Sequence, residues 1–143
     1  MSTAARCTSI VVNTTLTAEY PLSCAIIQDD ELVEKMYSDT RQPSYWAGKE
    51  VKGIRITVAD LEFWEGLKKG TRITTAIVQI ESAIHTDGTA ESAGSVVTAT
   101  LTGGIVTEAV EMESSTDGAP VEYAITMMLC RGTDATEGTF AIS

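Results

Sequence analysis

The chain has 143 residues, enough for one domain with a real core, and its 20 acidic against 10 basic residues give a formal net charge of −10. Neutralising phosphate takes clustered Lys and Arg, so this charge excludes a nucleic-acid-binding surface, and the lack of a long unbroken apolar run excludes a helical membrane span. Residues 1–8 hold no apolar block of signal-peptide length, and Cys7, Cys24 and Cys130, odd in number and widely spaced, fit neither a disulfide framework nor a zinc site; they read as reduced thiols of a protein made in a cytosol.

Residues 8–12 and 22–27 are β-branched and apolar enough to be strands, related as a hairpin or a β-arch. Residues 28–50 follow with no period of two. They contain Asp29, Asp30 and Glu31, then Pro43, and the aromatic group Tyr37, Tyr45 and Trp46, and they read as either a short helix at 31–37 plus a loop or one long extended excursion. Aromatic residues are scarce in disordered segments and enriched at interfaces, which makes this stretch a docking arm; the competing reading has Trp46 plugging the core. The three acids lack the spaced ligands and glycine of a calcium loop and read as solvated charge.

The centre of the chain alternates between strand and helix. Ile54, Ile56 and Val58 share one face of a strand at 53–58, because side chains in a strand alternate with period two. A helix is expected over 60–67, started by the Asp60 carboxylate, ended by Lys68, Lys69 and Gly70, and lying on the sheet as a lid through Leu61, Trp64 and Leu67. A strand at 72–80 follows, then a surface loop at 84–94 with Asp87 and Gly88 as its turn. Strands at 95–101 and 105–112 are expected to form a hairpin through Thr102, Gly103 and Gly104. After a turn at 114–120, a strand at 121–129 puts Val121, Tyr123, Ile125, Met127 and Leu129 on one face, and 139–142 adds an edge strand or frays. These elements specify a mainly β protein, an antiparallel β-sandwich or barrel with one short flanking α-helix, built as a single β domain over 1–143 with 28–50 as its assembly arm.

No catalytic residue emerges, because no nucleophile with a base and no paired acid and base stand out, so an enzyme is not expected. The lone His85 beside a turn has no ligand partners, Gly103 and Gly104 are not followed by a helix or a Lys-Ser/Thr pair, and Cys130 beside Arg131 has no base near it in sequence; no metal and no cofactor are expected. The informative feature is charge: residues 74–130 hold eight Asp or Glu and no Lys or Arg. That one-signed segment is either a solvated face that aids solubility or a lining that must not hold nucleic acid.

The order of elements resembles the tube proteins of phage tails and the related type VI secretion tube. The resemblance lies in the helix at 60–67 between strands, the closing pair 104–112 and 118–128, and the excursion 28–50 in the place of the ring-stacking loop. It implies a structural virion protein, made in the host cytoplasm and located in the tail, whose copies form hexameric rings that stack around a negatively charged channel. Its partners would then be itself and other tail proteins, with DNA passing through and not bound specifically. Channel-lining candidates are Gln79, Glu81, Glu108, Glu111, Glu113 and Glu122, although strand parity sets Glu108 opposite Glu111 and Glu113, while Val106, Val110 and Tyr123 pack on the core. Arm candidates are Asp29, Asp30, Glu31, Tyr37, Tyr45 and Trp46. The alternative is a capsid decoration, fibre or adhesin-type β-domain that binds a protein partner through the same aromatics.

Overall fold

The computed structural model describes residues 5–82, 96–111, 118–132 and 136–143. The elements in chain order are β1 (Ala5–Val12), β2 (Leu16–Thr17), β3 (Pro21–Gln28), β4 (Leu32–Lys35), β5 (Ser44–Ala47), β6 (Lys52–Val58), α1 (Leu61–Glu65), β7 (Arg72–Ser82), β8 (Val97–Glu111), β9 (Tyr123–Leu129) and β10 (Thr139–Ile142). The fold is mainly antiparallel β with one short helix. One sheet runs in the order β2-β1-β7-β8-β9-β6-β3 with β10 beside β8, and β4 and β5 form a separate ribbon. The main sheet curls until its flanking strands β1 and β3 pack on each other, as an arch, while each keeps its ladder to β7 or β6.

Alternation explains the core. Ile54, Ile56 and Val58 of β6 are fully buried, as are Ile10 and Val12 of β1, Val78 of β7 and Ile125 and Met127 of β9. Each such side chain stabilises the fold by roughly 1.5–3 kcal/mol relative to exposure. The inward positions do not keep one parity along the longer strands. In β8 they pass from Ala99 and Leu101 to Gly104 and Val106, and the switch falls at Gly103, whose φ of +83° suits a residue without Cβ. Facing it, β7 switches from Ile73 to Ala76, and Asn13 fills the irregularity. The Asn13 Oδ1 accepts from the backbone N of Thr74 at 2.7 Å and of Thr75 at 3.4 Å, and the Asn13 backbone N–H donates to the Thr75 carbonyl at 2.7 Å.

The expected hairpin at Thr102, Gly103 and Gly104 is therefore absent: β8 runs straight through it. Residues 105–112 cannot fold back on 95–101, because β7 occupies one edge of that stretch and β10 the other, so the glycines bend the strand and do not turn it. A second irregularity lies between Val106 and Glu108, where the register to β9 slips by one. It sends Ala109 inward and leaves Val110 41% exposed, so Val106 and Tyr123 pack in the core and Val110 does not.

The helix is shorter than its apolar spacing suggests. α1 has five residues and stops at Gly66, so the stripe Leu61, Trp64 and Leu67 never forms on one continuous helix; Leu61 is exposed, and Phe63 and Leu67 are buried. Trp64 stacks on Tyr123 with ring centroids 4.7 Å apart and carries Lys68 over its face at 5.3 Å. Asp60 precedes the helix without capping it. Its carboxylate accepts instead from the backbone N–H groups of Glu19 and Tyr20, at 2.7 and 2.8 Å, and so ties the β2–β3 connection to the end of β6. Asp60→Ala is expected to cost roughly 1–3 kcal/mol, since charge-assisted bonds are among the stronger ones, with Asp60→Asn intermediate. Equal denaturant midpoints for parent and Asp60→Ala would refute that role. The expected loop at 84–94 with His85, the turn at 114–117 and Glu113 lie outside the described residues.

Candidate functional site

The β3–β6 ladder does not end at the body. It continues through Asp29 N to Val51 O at 2.9 Å and Glu31 N to Lys49 O at 2.8 Å, then slips at Gly48, whose N–H donates to the Glu31 carbonyl at 2.9 Å. Beyond that point Leu32 pairs with Ala47, Val33 with Trp46, Glu34 with Tyr45 and Lys35 with Ser44. Residues 28–50 are thus an extended excursion, and no helix forms at 31–37. Its root is fixed by Asp30, whose carboxylate accepts from Val51 N at 3.0 Å, and by Lys52, whose ammonium lies 3.2 Å from Glu50 and 3.7 Å from Asp30. The hydrogen bond to Glu50, then the charge of Asp30, push the Lys52 ammonium above its ordinary pKa. All three acids are exposed, and Asp30 is the one whose carboxylate is engaged at the root.

Past the root the ribbon stands in solvent. Cross-strand partners share a face, so Val33 and Trp46 lie on one side, Leu32 and Tyr45 on the other, and Met36 and Tyr37 at the tip. Leu32 is 67% exposed and Trp46 56%, which overturns the reading of Trp46 as a core plug; Tyr37 and Tyr45 are exposed as well. A two-stranded ribbon is at best marginally stable in water, and this one carries exposed apolar side chains on both faces.

The acidic candidates fall into two groups along β8. Gln79 and Glu81, half-buried, lie on the outer face of β7, where Gln79 pairs with Thr98. Glu108, exposed, is on the outer face roughly 30 Å further along β8. Glu111 points the other way, toward α1: it is level with Tyr123, whose hydroxyl is pushed up by burial first and then by Glu111 and Glu65. Glu122 is exposed just ahead of β9. Parity does separate Glu108 from Glu111. Between the two groups the outer face carries a row missed in reading for charge, Thr98, Thr100 and Thr102 of β8 with Thr139 of β10 opposite Thr102. Its signal is a threonine at every second position. Cys130 lies past the end of β9, half-buried, where the Arg72 guanidinium donates to its sulfur at 3.5 Å and to the Arg131 carbonyl at 3.0 Å.

No family model matches the chain, and no curated protein matches it. Solved structures do. A chain of the anti-feeding prophage cap, the AFP tube-terminating cap, superposes with a TM-score of 0.52 at 13% identity, covering 94% of this chain and 87% of that one. A chain of the PVC sheath–tube complex in its extended state, from an extracellular contractile injection system, superposes with a TM-score of 0.53 at 13% identity, covering 96% and 89%. What is shared is the fold. It extends over most of both chains.

Proposed function

We propose that the chain is a structural subunit of a tail-type tube, assembling with its own copies into hexameric rings that stack, with the β4–β5 hairpin as the arm by which one subunit grips the next. The observation that carries this reading is the hairpin itself, which holds Leu32, Val33, Tyr45 and Trp46 in solvent on a ribbon too thin to cover them. The fold it shares with a tube-terminating cap and with a chain of a sheath–tube complex supports the same reading. Pairing of sheet edges between neighbouring copies would also remove exposed edges such as that of β10. Other tail proteins would close the ends of the tube. A second reading, a cap that ends a tube made by another protein, draws support from the equally good superposition on the AFP cap. Electron imaging of the purified chain separates these: stacked rings or tubes are expected, single rings favour the cap, and monomers or trimers at every concentration favour a decoration or fibre module and overturn the tube.

In this assembly the outer face of β7 and β8, with Gln79, Glu81, Thr98, Thr100, Thr102 and Glu108, lines the channel. Negative charge there repels phosphate, and the threonines between add no positive charge to offset it, so DNA slides. Like charges gathered by ring symmetry repel, so assembly is expected to improve as salt screens them. Changing Glu81→Lys together with Glu108→Lys should leave rings intact and make them retain DNA at low salt. Assembled double variants that retain no more DNA than the parent would refute the lining.

A further inference from the structure

We propose that Cys7 and Cys24 form an intramolecular disulfide across the seam between β1 and β3 when the chain meets a low-molecular-weight disulfide such as glutathione disulfide. Register carries the pairing. In β1 the buried positions are Ile10 and Val12, and plain alternation would send Cys7 outward with Ser9 and Val11. The register to β7 slips between Cys7 and Ser9, with the Thr8 hydroxyl donating to the Gln79 carbonyl at 3.4 Å, and this turns Cys7 inward level with Ile80. In β3, Cys24 sits level with the fully buried Ile56. Both thiols pack against the core. Because β1 and β3 are the strands that meet where the sheet curls, two inward thiols on them are brought to one seam, and both are free.

The chemistry balances with that oxidant. The Cys7 thiolate attacks one sulfur of the small disulfide, forming a mixed disulfide and expelling one small thiolate. Cys24 then loses its proton and attacks the Cys7 sulfur, forming the Cys7–Cys24 bond and expelling the second small thiolate. Two electrons pass to the oxidant, and the two protein protons end on the two released thiols. Burial first, then the hydrogen bond to Cys7, push the Cys24 thiol up to about 12, which makes Cys24 the slow, resolving partner. The bond would add a covalent link across the seam between β1 and β3, and it is independent of the assembly reading.

The test uses the full chain with Cys130→Ser, since Cys130 lies by Arg72 at the opposite end of β7. After native incubation with glutathione disulfide and an acid quench, both remaining thiols should be lost, the intact mass should fall by two hydrogens with no glutathione adduct, and the melting temperature should rise by roughly 5–10 °C, reversibly with reductant. Adding Cys7→Ser or Cys24→Ser should leave only an adduct and no rise. If Cys130→Ser does not fold, the unmodified chain serves, falling from three titratable thiols to one. Two thiols that stay free, a mixed disulfide as the end product, or a link between chains would each overturn the pairing.

Discussion

Replacing residues 32–47 by Asn-Gly is expected to leave a folded chain that does not assemble. The bond from Gly48 N to the Glu31 carbonyl already spans the cut, and with two residues between them it becomes the closing bond of a tight β-turn, for which Asn-Gly is a favoured pair. The body loses no core contact, because the buried cluster contains no residue of β4 or β5. Shortening the loop eightfold changes its closure entropy by about 2 kcal/mol in favour of the folded chain, so the melting temperature should move by less than about 10 °C. Assembly should fail completely, because the variant removes Leu32, Val33, Met36, Tyr37, Tyr45 and Trp46 at once. Light scattering and electron imaging decide it. A shortened chain that still builds the parent's assemblies would show that the arm does something else. The double change Tyr45→Ser and Trp46→Ser, one side chain on each face of the ribbon, should weaken assembly at least tenfold with the ribbon kept.

Part of this is legible in the sequence. The alternation of Ile54, Ile56 and Val58 marks β6 as it stands, and the aromatics of 28–50 point to an exposed arm once no period places them in the core. Other features escape because period two carries no information about where it will be interrupted. Gly103 and Gly104 read as a turn, and only the occupation of both edges of β8 by β7 and β10 makes them a bend. Val110 reads as core until the slip after Val106 reverses its face. Asp60 has the residue type and place of a helix cap, yet two backbone N–H groups forty residues earlier hold its carboxylate more directly. The meeting of Cys7 and Cys24 is hidden in the same way, since it depends on a one-residue slip at Thr8 and on the curl of the whole sheet.

Gly53→Ala is expected to be among the most damaging changes of one methyl group in the body. A Cβ at Gly53 falls inside contact distance of the Met127 carbonyl oxygen and 3.2 Å from the Met128 Cα, both backbone atoms of β9, besides the Met128 sulfur, which can swing away. Backbone cannot swing. β6 lies between β9 and β3 and is hydrogen-bonded to both, so relief on one side opens a ladder on the other. Ile54 and Ile56, which fill the core from the same strand, would be carried off position as well. A loss of about 3 kcal/mol or more is expected, a large share of the 5–15 kcal/mol that holds an ordinary domain, with a fall in melting temperature of roughly 6–12 °C. Gly70→Ala is the control, because Gly70 has a φ of +94° with nothing within 4 Å of a new Cβ, so backbone strain alone should cost about 1 kcal/mol. If the two variants melt together, the close approach of β6 and β9 is not what requires glycine. If Gly53→Ala is the worse by several degrees, it is the close approach of β6 and β9 that requires glycine there, one residue from Lys52 at the root of the β4–β5 ribbon.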